Sequence, residues 1–279
     1  MFKPKKKSMN LSKVKLVVSD MDGTLLNSKG EVSNLFFDLF KQLKEKNIYF
    51  TAASGRQYNS IVHKLDTIKE DIFVIAENGG MAKKGTQVLK MNVLEAEKIK
   101  QLISILREIE GVHIVLCGKD KAFIESKNKD FITLFQEYYQ SYNVVDNLVS
   151  VAETHDFLKI AVYHYTSSEK YIYPHVKDLP SDFLIKISSK NWLDISDAKA
   201  NKGNALREVQ AQLNITKEET MVFGDYHNDI EMLQEADFSF AMKNAHKDIK
   251  EIANYITESN DNFGVEKVLT KLLKDQTTV

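Results

Sequence analysis

The sequence predicts an α/β fold in which a parallel-sheet core is interrupted by a separate α+β module. Strand and helix patterns alternate along the first third of the 279 residues, and the same alternation returns in the final third. Between them the pattern changes to paired strands mixed with helices. Alternating strands and helices favour parallel pairing with right-handed crossovers. We therefore expect a discontinuous core from residues 1–91 and 190–279, with the module inserted at 92–189.

The first third contains three strand patterns separated by two helix patterns. The apolar run Leu16-Val17-Val18 marks the first strand, and its length suits a strand buried on both faces. Apolar residues then recur at helical spacing between residues 32 and 43. A strand at 48–53, a helix at 57–65 and a strand at 72–76 follow.

The final third repeats this order after a helix at about 201–213. Thr216 and Glu219 have the spacing of a capping box, so a short helical turn is expected there. A strand at 221–223, a helix at 228–235, a strand at 238–241 and two further helical patterns complete the core.

The middle of the chain has a different order of predicted strands and helices. A helix at 96–109 ends before Gly111, a residue suited to a helix C-cap. The remaining patterns are strands at 112–117, 122–125, 158–165, 183–187 and 192–195, and helices near 131–139 and 169–176. Mixed strands and helices of this kind are typical of an α+β module. The aromatic residues Phe131, Phe135, Tyr138 and Tyr139 recur at helical spacing, which favours a packed core over a substrate platform.

The composition excludes several classes of protein. Lys and Arg number 38 and Asp and Glu 39, so the net charge of −1 lacks the basic footprint of a general nucleic-acid binder. No stretch approaches the roughly 18 apolar residues of a membrane-spanning helix. The single cysteine, Cys117, cannot form an internal disulfide, which favours a reducing, cytoplasmic setting. We expect the lysine-rich residues 1–7 to form a solvated tail rather than a secretory leader.

The candidate chemistry begins directly after the first strand, in Asp20-Met21-Asp22-Gly23-Thr24. Ligands of open parallel sheets bind beyond the carboxyl ends of the strands. Two carboxylates at such an end can provide a nucleophile and a nearby proton shuttle, and their oxygens suit Mg²⁺. Gly23 permits a sharp turn of the backbone. Read alone, the segment is equally typical of an ordinary acidic turn.

Polar residues also follow the second strand and open the helix that comes after the inserted module. Ser54-Gly55-Arg56 provides a hydroxyl and backbone N–H groups that suit a phosphate, although a plain serine N-cap has the same pattern. Lys202 begins a helix, where a cation opposes the helix dipole and calls for an anion nearby.

The segment Gly224-Asp225-Tyr226-His227-Asn228-Asp229 follows the strand at 221–223. Asp225 is a candidate metal ligand and Asn228 a candidate phosphate donor, whereas capping of the next helix is the alternative. Each of the four signals is weak alone. Their joint order along an α/β core predicts one shared site for phosphate and Mg²⁺.

At these residues the sequence resembles the haloacid dehalogenase superfamily, and within it the Cof-type phosphatases. The four segments match that superfamily's four motifs, and Ala76-Glu77-Asn78-Gly79-Gly80 is similar to the end of the subfamily's third strand. The resemblance extends from about residue 13 to residue 273. It implies a Rossmann-like core and, from the place of the insertion, a C2B-type cap that selects the substrate.

The resemblance also implies roles for these residues. Asp20 would attack phosphorus and form an aspartyl-phosphate, and Asp22 would act as acid and base. Mg²⁺ would be held by Asp20, by the main-chain carbonyl of Asp22 and by Asp225. The other implied roles are phosphate binding by Ser54, Gly55, Lys202 and Asn228, support by Asp229, and substrate contact by Arg56 and Asn78 at the entrance.

The expected activity is hydrolysis of small phosphate monoesters, such as sugar phosphates or phosphorylated cofactors, with no nucleic-acid or membrane partner. A phosphomutase that uses the same aspartate and a non-catalytic phosphate-binding regulator remain as alternatives. His227 either touches substrate or faces solvent, and solvent is favoured. The oligomeric state is not predicted.

Overall fold

A computed structural model describes residues 10–276 of the chain, so the tail expected at residues 1–7 lies outside the described residues. Within them, fourteen strands form two sheets. In chain order the strands are β1 (Leu16–Asp20), β2 (Tyr49–Ala53), β3 (Phe73–Ala76), β4 (Met81–Lys84), β5 (Gln87–Met91), β6 (Val112–Gly118), β7 (Ala122–Ile124), β8 (Tyr142–Val144), β9 (Phe157–His164), β10 (Phe183–Ile187), β11 (Trp192–Asp197), β12 (Thr220–Gly224), β13 (Phe238–Ala241) and β14 (Tyr255–Ile256).

Ten α-helices in the described residues connect and cover these strands. They are α1 (Asn34–Glu45), α2 (Tyr58–Lys64), α3 (Ala96–Arg107), α4 (Lys129–Phe135), α5 (Ser168–Tyr171), α6 (Tyr173–Val176), α7 (Lys202–Leu213), α8 (Ile230–Leu233), α9 (Lys247–Ile252) and α10 (Gly264–Asp275).

The first sheet has eight strands in the order β14-β13-β12-β1-β2-β3-β4-β5. Neighbouring strands from β14 to β3 run parallel, whereas β4 and β5 return antiparallel at one edge. Since β1 pairs with both β2 and β12, the N-terminal and C-terminal flanks of the chain join at the middle of this sheet. The predicted α/β fold class is confirmed, and the β4–β5 hairpin is an addition to the expected pattern.

The second sheet has six strands in the order β10-β11-β9-β6-β7-β8, and its pairs are antiparallel except for β7 with β8. Strand β11 pairs with β9 along residues 192–196, so this sheet continues past residue 189. The division of the chain at 91/92 and 189/190 stays a prediction about domains.

Each sheet has its own apolar core. Side chains from both flanks of the chain form one continuous cluster around the first sheet, whereas the two faces of the second sheet carry a cluster each. Leu158 of β9 is the exception, because it packs into the cluster of the first sheet. One strand of the second sheet is thereby anchored in the core of the first.

Helix α1 illustrates how the sequence dictates these elements. Ser33 caps it by accepting the N–H of Phe36, and the buried residues Phe36, Leu39, Phe40 and Leu43 lie on one face of the helix. The capping box predicted at Thr216 and Glu219 is also present.

Two predicted helices differ from the structure. The helix expected at 228–235 begins as a 3-10 turn and continues as α8, which has only four residues. The helix expected at 169–176 is divided into α5 and α6. Pro174, which lacks an N–H and fits only the first turn of a helix, is the second residue of α6.

Among residues 10–276, the helices are too short or too polar for any of them to cross a bilayer.

Gly79, in the turn after β3, touches the chain where it returns from β11 to α7. Its φ is +94°, and a Cβ placed on it would lie 2.8 Å from the backbone nitrogen of Lys202 and closer still to Asn201. We expect Gly79→Ala to destabilise the protein by about 3 kcal/mol or more, because backbone strain and a backbone clash add together.

Gly30→Ala is the matched control, since Gly30 also has a positive φ of +72°, but a Cβ there would lie 3.9 Å from its nearest neighbour, Lys64 Nζ. It should cost only about 1 to 2 kcal/mol. Urea unfolding of both variants measures the difference, and equal losses would contradict the close approach at Gly79.

Candidate active site

The carboxyl ends of four neighbouring strands bring the predicted residues together. Asp20 ends β1, Ser54 follows β2, Asn78 follows β3 and Asp225 follows β12. In the parallel register Asp20 lies opposite Ala53, and Ser19 lies opposite Phe223, so these ends are level with one another. The site therefore forms at one edge of the sheet, where open α/β sheets bind their ligands.

Lys202 is the buried cation at the centre of this edge. Its Nζ lies 2.6 Å from Asp20 Oδ1 and 2.7 Å from Asp229 Oδ1, and the side chains of Lys202 and Asp229 are both 0% exposed. Burial works against the charged form of Lys202, but the two carboxylates outweigh it and hold the pKa of Lys202 above its ordinary value. A buried ammonium group of this kind is stable only while its carboxylate partners remain.

Asp229 also fixes the turn after β12. Its Oδ2 accepts the backbone N–H groups of Asp225 at 2.9 Å and Tyr226 at 3.2 Å. One carboxylate thus holds both Lys202 and the turn that carries Asp225, so it positions groups on two different elements.

Three carboxylates converge here around that single ammonium group. Asp20, Asp225 and Asp229 each offer an oxygen within 4.8 Å of the others, and are a group able to hold a metal ion. Burial raises the pKa of Asp20 well above its ordinary value, against the opposing effect of Lys202. Burial, followed by the charge of Asp229, raises the pKa of Asp225 to about 7. The three carboxylates can carry more negative charge than Lys202 neutralises, so the cluster favours binding of a metal cation.

Gly23 makes the close approach of Asp225 possible. Its φ is +79°, and a Cβ there would lie 2.9 Å from Asp225 Cγ and would overlap Oδ2. The neighbouring Thr24 hydroxyl donates to Asp225 Oδ1 at 3.5 Å. Glycine is therefore needed both for the turn and for the space that the carboxylate occupies.

Asp22 points to the cavity and is held by Arg56. The guanidinium Nε and Nη2 donate to its two oxygens at 2.7 Å and 2.6 Å, which is a bidentate pair. Arg56 also donates to the Glu137 carbonyl at 3.4 Å and lies over the Tyr138 ring, with Cζ 5.6 Å from its centroid. Arg56 thus connects the candidate acid to a segment that precedes β8 in the second sheet.

The turn after β3 has an unusual backbone. Glu77 and Asn78 both have positive φ, at 52° and 54°, a conformation that is costly for residues other than glycine. Asn78 Nδ2 donates to Asp194 at 2.8 Å, and its Oδ1 accepts the amide of Asn228 at 3.0 Å. These bonds hold Asn78 between the second sheet and the turn after β12.

A buried lysine of the second sheet completes this network. Lys159 Nζ lies 3.0 Å from Glu77, 3.1 Å from Asp194 and 2.8 Å from the carbonyl oxygen of Gly55. Burial opposes its charge, but Asp194 and Glu77 hold its pKa above the ordinary value. Neither Lys159 nor Asp194 is among the residues predicted from the sequence. The one available signal was a charged residue within each apolar strand pattern.

The two sheets enclose a cavity of about 480 Å³ above these groups. The first sheet's side contains Asp20, Asp22, Gly23, Ser54, Gly55, Arg56, Asn78, Asp225, Tyr226 and Asn228, and the second sheet's side contains Tyr138, Tyr139, Lys159, Ser188, Ser189, Lys190, Trp192 and Asp194. Lys202 and Asp229 lie beneath the cavity wall. All ten predicted site residues therefore lie in or directly under one cavity.

Comparisons with known proteins identify the family of the chain. A family model described as haloacid dehalogenase-like hydrolase matches residues 17–269. The chain belongs to this family.

Two named phosphatases and a solved structure resemble the chain over nearly its whole length. The 5-amino-6-(5-phospho-D-ribitylamino)uracil phosphatase YbjI of Escherichia coli (strain K12) is 31% identical over 267 residues, which cover 94% of this chain and 97% of YbjI. Phosphatase YwpJ of Bacillus subtilis (strain 168) is 28% identical over 289 residues, covering 93% of this chain and 100% of YwpJ. The crystal structure of SMU.1108c from Streptococcus mutans UA159 aligns with a TM-score of 0.86 and 30% identity, covering 94% and 99% of the two chains.

The predicted family and enzyme class are confirmed: the protein is a phosphatase of the haloacid dehalogenase-like hydrolase family.

The aromatic residues that the sequence places in a packed core are buried in part. Phe131, Phe135 and Tyr139 are buried around the second sheet, as a packed core requires. Tyr138, which the helical spacing also placed in that core, is 36% exposed and lines the cavity.

His227 lies outside the set of cavity-lining residues of this hydrolase. Its Nε2 is 3.1 Å from Asp248 Oδ2, and its ring centroid is 4.4 Å from that of His246. The neighbouring Tyr226 reaches the cavity instead.

Removing the Asp225 carboxylate, which forms no ion pair with Lys202, should stabilise the metal-free hydrolase. The raised pKa of Asp225 means that the folded state loses stability as the pH rises from about 4 to about 7, since the unfolded state gives up this proton first. We expect Asp225→Asn to unfold about 2 to 6 °C above the wild type at pH 8 in EDTA. The difference should shrink toward pH 5. A lower melting temperature for Asp225→Asn than for the wild type, or a difference that does not change with pH, would contradict repulsion among the three carboxylates.

Proposed function

We propose that this phosphatase is Mg²⁺-dependent and acts through an aspartyl-phosphate on Asp20. The observation that carries the proposal is the meeting of Asp20, Asp225 and the buried ammonium group of Lys202 at the floor of one cavity. A carboxylate nucleophile, a cation site and a fixed positive charge are the parts that phosphoryl transfer to a side chain needs.

The donor set fits Mg²⁺. Hard carboxylate and carbonyl oxygens are its preferred ligands, and the oxygens of Asp20 and Asp225 lie within 4.8 Å of one another. We assign the site to Asp20, Asp225 and the main-chain carbonyl of Asp22. When bound, Mg²⁺ would offset the repulsion between a carboxylate and a phosphate ester.

Asp20 is the proposed nucleophile. One of its oxygens, Oδ1, accepts a hydrogen bond from Lys202, which leaves Oδ2 to attack phosphorus. The attack forms an O–P bond to Asp20 and breaks the ester O–P bond. Water then attacks the same phosphorus, releases inorganic phosphate and restores the carboxylate.

Asp22 is the proposed acid and base. It gives a proton to the departing alkoxide in the first step and takes one from the attacking water in the second. Both of its oxygens are engaged by Arg56, so this pair has to open when substrate enters. Arg56 is then free to contact the substrate from the entrance side.

The remaining assigned residues bind the transferring group. The Ser54 hydroxyl, the Gly55 N–H, the Lys202 ammonium group and the Asn228 amide would donate to phosphoryl oxygens. Asp229 keeps Lys202 and the turn after β12 in place, while Asn78 holds the amide of Asn228.

The sequence predicts a catalytic domain in residues 1–91 and 190–279 and a cap in 92–189, and we propose this division with one change at its second boundary. The pairing of β11 with β9 favours a return to the catalytic domain slightly later, between Asp197 and Lys202. The second sheet, which provides one side of the cavity, would then select the leaving group.

The proposed substrate class is a small phosphate ester whose alcohol combines a hydroxylated chain with a flat ring. The cavity has a volume typical of small-ligand sites. Tyr138 and Trp192 provide aromatic surface on its second-sheet side, beside the polar residues Lys159, Ser189 and Lys190. A 5-phosphoribitylamino pyrimidine, the substrate in the name of YbjI, has both features.

Asp20→Asn tests the nucleophile. We expect phosphate release in Mg²⁺ to fall by about 10⁴-fold or more while the fold persists, because an amide is a poor nucleophile. Wild-type activity should disappear in EDTA and return with Mg²⁺. Ser28→Ala, in an exposed loop, is the control. Substantial turnover by Asp20→Asn would overturn the assignment, and isomerisation of a sugar phosphate without phosphate release would favour a mutase.

Tyr138→Ala tests the substrate class. Its removal should raise KM for 5-amino-6-(5-phosphoribitylamino)uracil or flavin mononucleotide by about tenfold, since aromatic stacking on a ring is lost. Hydrolysis of glycerol phosphate, which has no ring, should change little. Phosphate release from a panel that also includes sugar phosphates and pyridoxal phosphate measures both effects, and equal losses across the panel would contradict ring recognition.

A further inference from the structure

Two histidines and an aspartate lie together outside the cavity lining and include none of the proposed Mg²⁺ ligands. His227 Nε2 is 3.1 Å from Asp248 Oδ2, and His246 Nδ1 is 3.4 Å from the same oxygen. The three ligand atoms all lie within 4.8 Å of one another, and the group is able to hold a metal ion. We propose that His227, His246 and Asp248 form a second metal site, specific for a divalent transition metal of the Zn²⁺ type.

The spacing agrees with tetrahedral coordination. Zn²⁺ binds imidazole nitrogen and carboxylate oxygen at about 2.0 to 2.2 Å, so neighbouring ligand atoms of a tetrahedron are about 3.3 to 3.5 Å apart. The two separations to Asp248 are 3.1 Å and 3.4 Å. The His227 and His246 ligand atoms lie within 4.8 Å of each other, and they would close to about 3.4 Å to hold one tetrahedral ion together with Asp248.

The ligand chemistry separates this site from the first one. Two imidazoles and one carboxylate suit Zn²⁺, Cu²⁺ or Ni²⁺, whereas the carboxylate cluster of Asp20 and Asp225 suits Mg²⁺. The side chains of His227, His246 and Asp248 are 39%, 35% and 45% exposed, so water can reach the ion and supply the remaining ligand. Mg²⁺ in excess should therefore leave the second site available.

The backbone already holds the three ligands in place. His227 follows β12, and His246 precedes α9, which contains Asp248. The His246 N–H donates to the Asp225 carbonyl at 2.9 Å, which connects the two segments. His246 Nδ1 also accepts the Asp248 N–H at 3.3 Å, and the metal ion would replace this long hydrogen bond.

A metal ion here would join the turn after β12 to the start of α9. That turn carries Asp225 and Asn228 on either side of His227, so the second site would restrain the turn without touching the cavity. The proposal does not depend on the phosphatase mechanism, since it concerns binding by residues outside the cavity.

Co²⁺ is a suitable probe, because four-coordinate Co²⁺ absorbs visible light far more strongly than six-coordinate Co²⁺. We expect titration of the full-length protein in excess Mg²⁺ to give intense visible bands that saturate at one equivalent and disappear when Zn²⁺ is added. His246→Asn should weaken Co²⁺ binding by about tenfold or more, and Asp248→Asn should do the same. Asparagine at position 246 can still cap α9, so loss of binding would not reflect loss of the helix.

Two control variants separate the outcomes. His175→Ala removes an exposed histidine of α6 and should leave the bands unchanged. Asp225→Asn changes the proposed Mg²⁺ site and should also retain them. The proposal is overturned if no intense band appears in excess Mg²⁺, or if His246→Asn and Asp248→Asn bind Co²⁺ as tightly as the wild type.

Discussion

The structure of the site depends on one buried charge. Lys202 has no exposed surface, and its ammonium group can stay ionised there only beside Asp20 and Asp229. Those two carboxylates come from the end of β1 and the turn after β12, so the ammonium group requires α7, β1 and that turn to meet at one point. Removing Lys202 would leave both carboxylates without their cation in the interior, at a cost of about 3 to 5 kcal/mol.

Much of the first sheet's side of the site could be predicted from the sequence. Asp20, Ser54 and Asp225 each follow a short apolar run, and parallel strands necessarily bring their carboxyl ends to one edge. The local sequence pattern and the topology of the sheet therefore predict the same site residues. The exact length of α8 could not be predicted, because Asp229 uses its side chain to hold the turn rather than to continue the helix.

The second sheet's side of the cavity could not be predicted in the same way. Its central strand β9 pairs antiparallel with β6 and β11, which are both distant from it in sequence, and no local signal states which residue faces the cavity. Lys159 and Asp194 are charged residues within apolar strands, and only the structure shows that Lys159 forms ion pairs with both Asp194 and Glu77. Tyr138 fits the spacing of its buried aromatic neighbours, yet it faces the cavity because its helix has already ended at Phe135.

The opposite sides of the cavity come from separate sheets, each with its own apolar core. Substitutions at Tyr138, Ser189 or Lys190 therefore change the shape that a leaving group meets without altering the packing beneath Asp20 or Lys202. A duplicated gene could in this way acquire a new substrate specificity through substitutions on the second sheet's side of the cavity, while the residues of the first sheet's side stay unchanged.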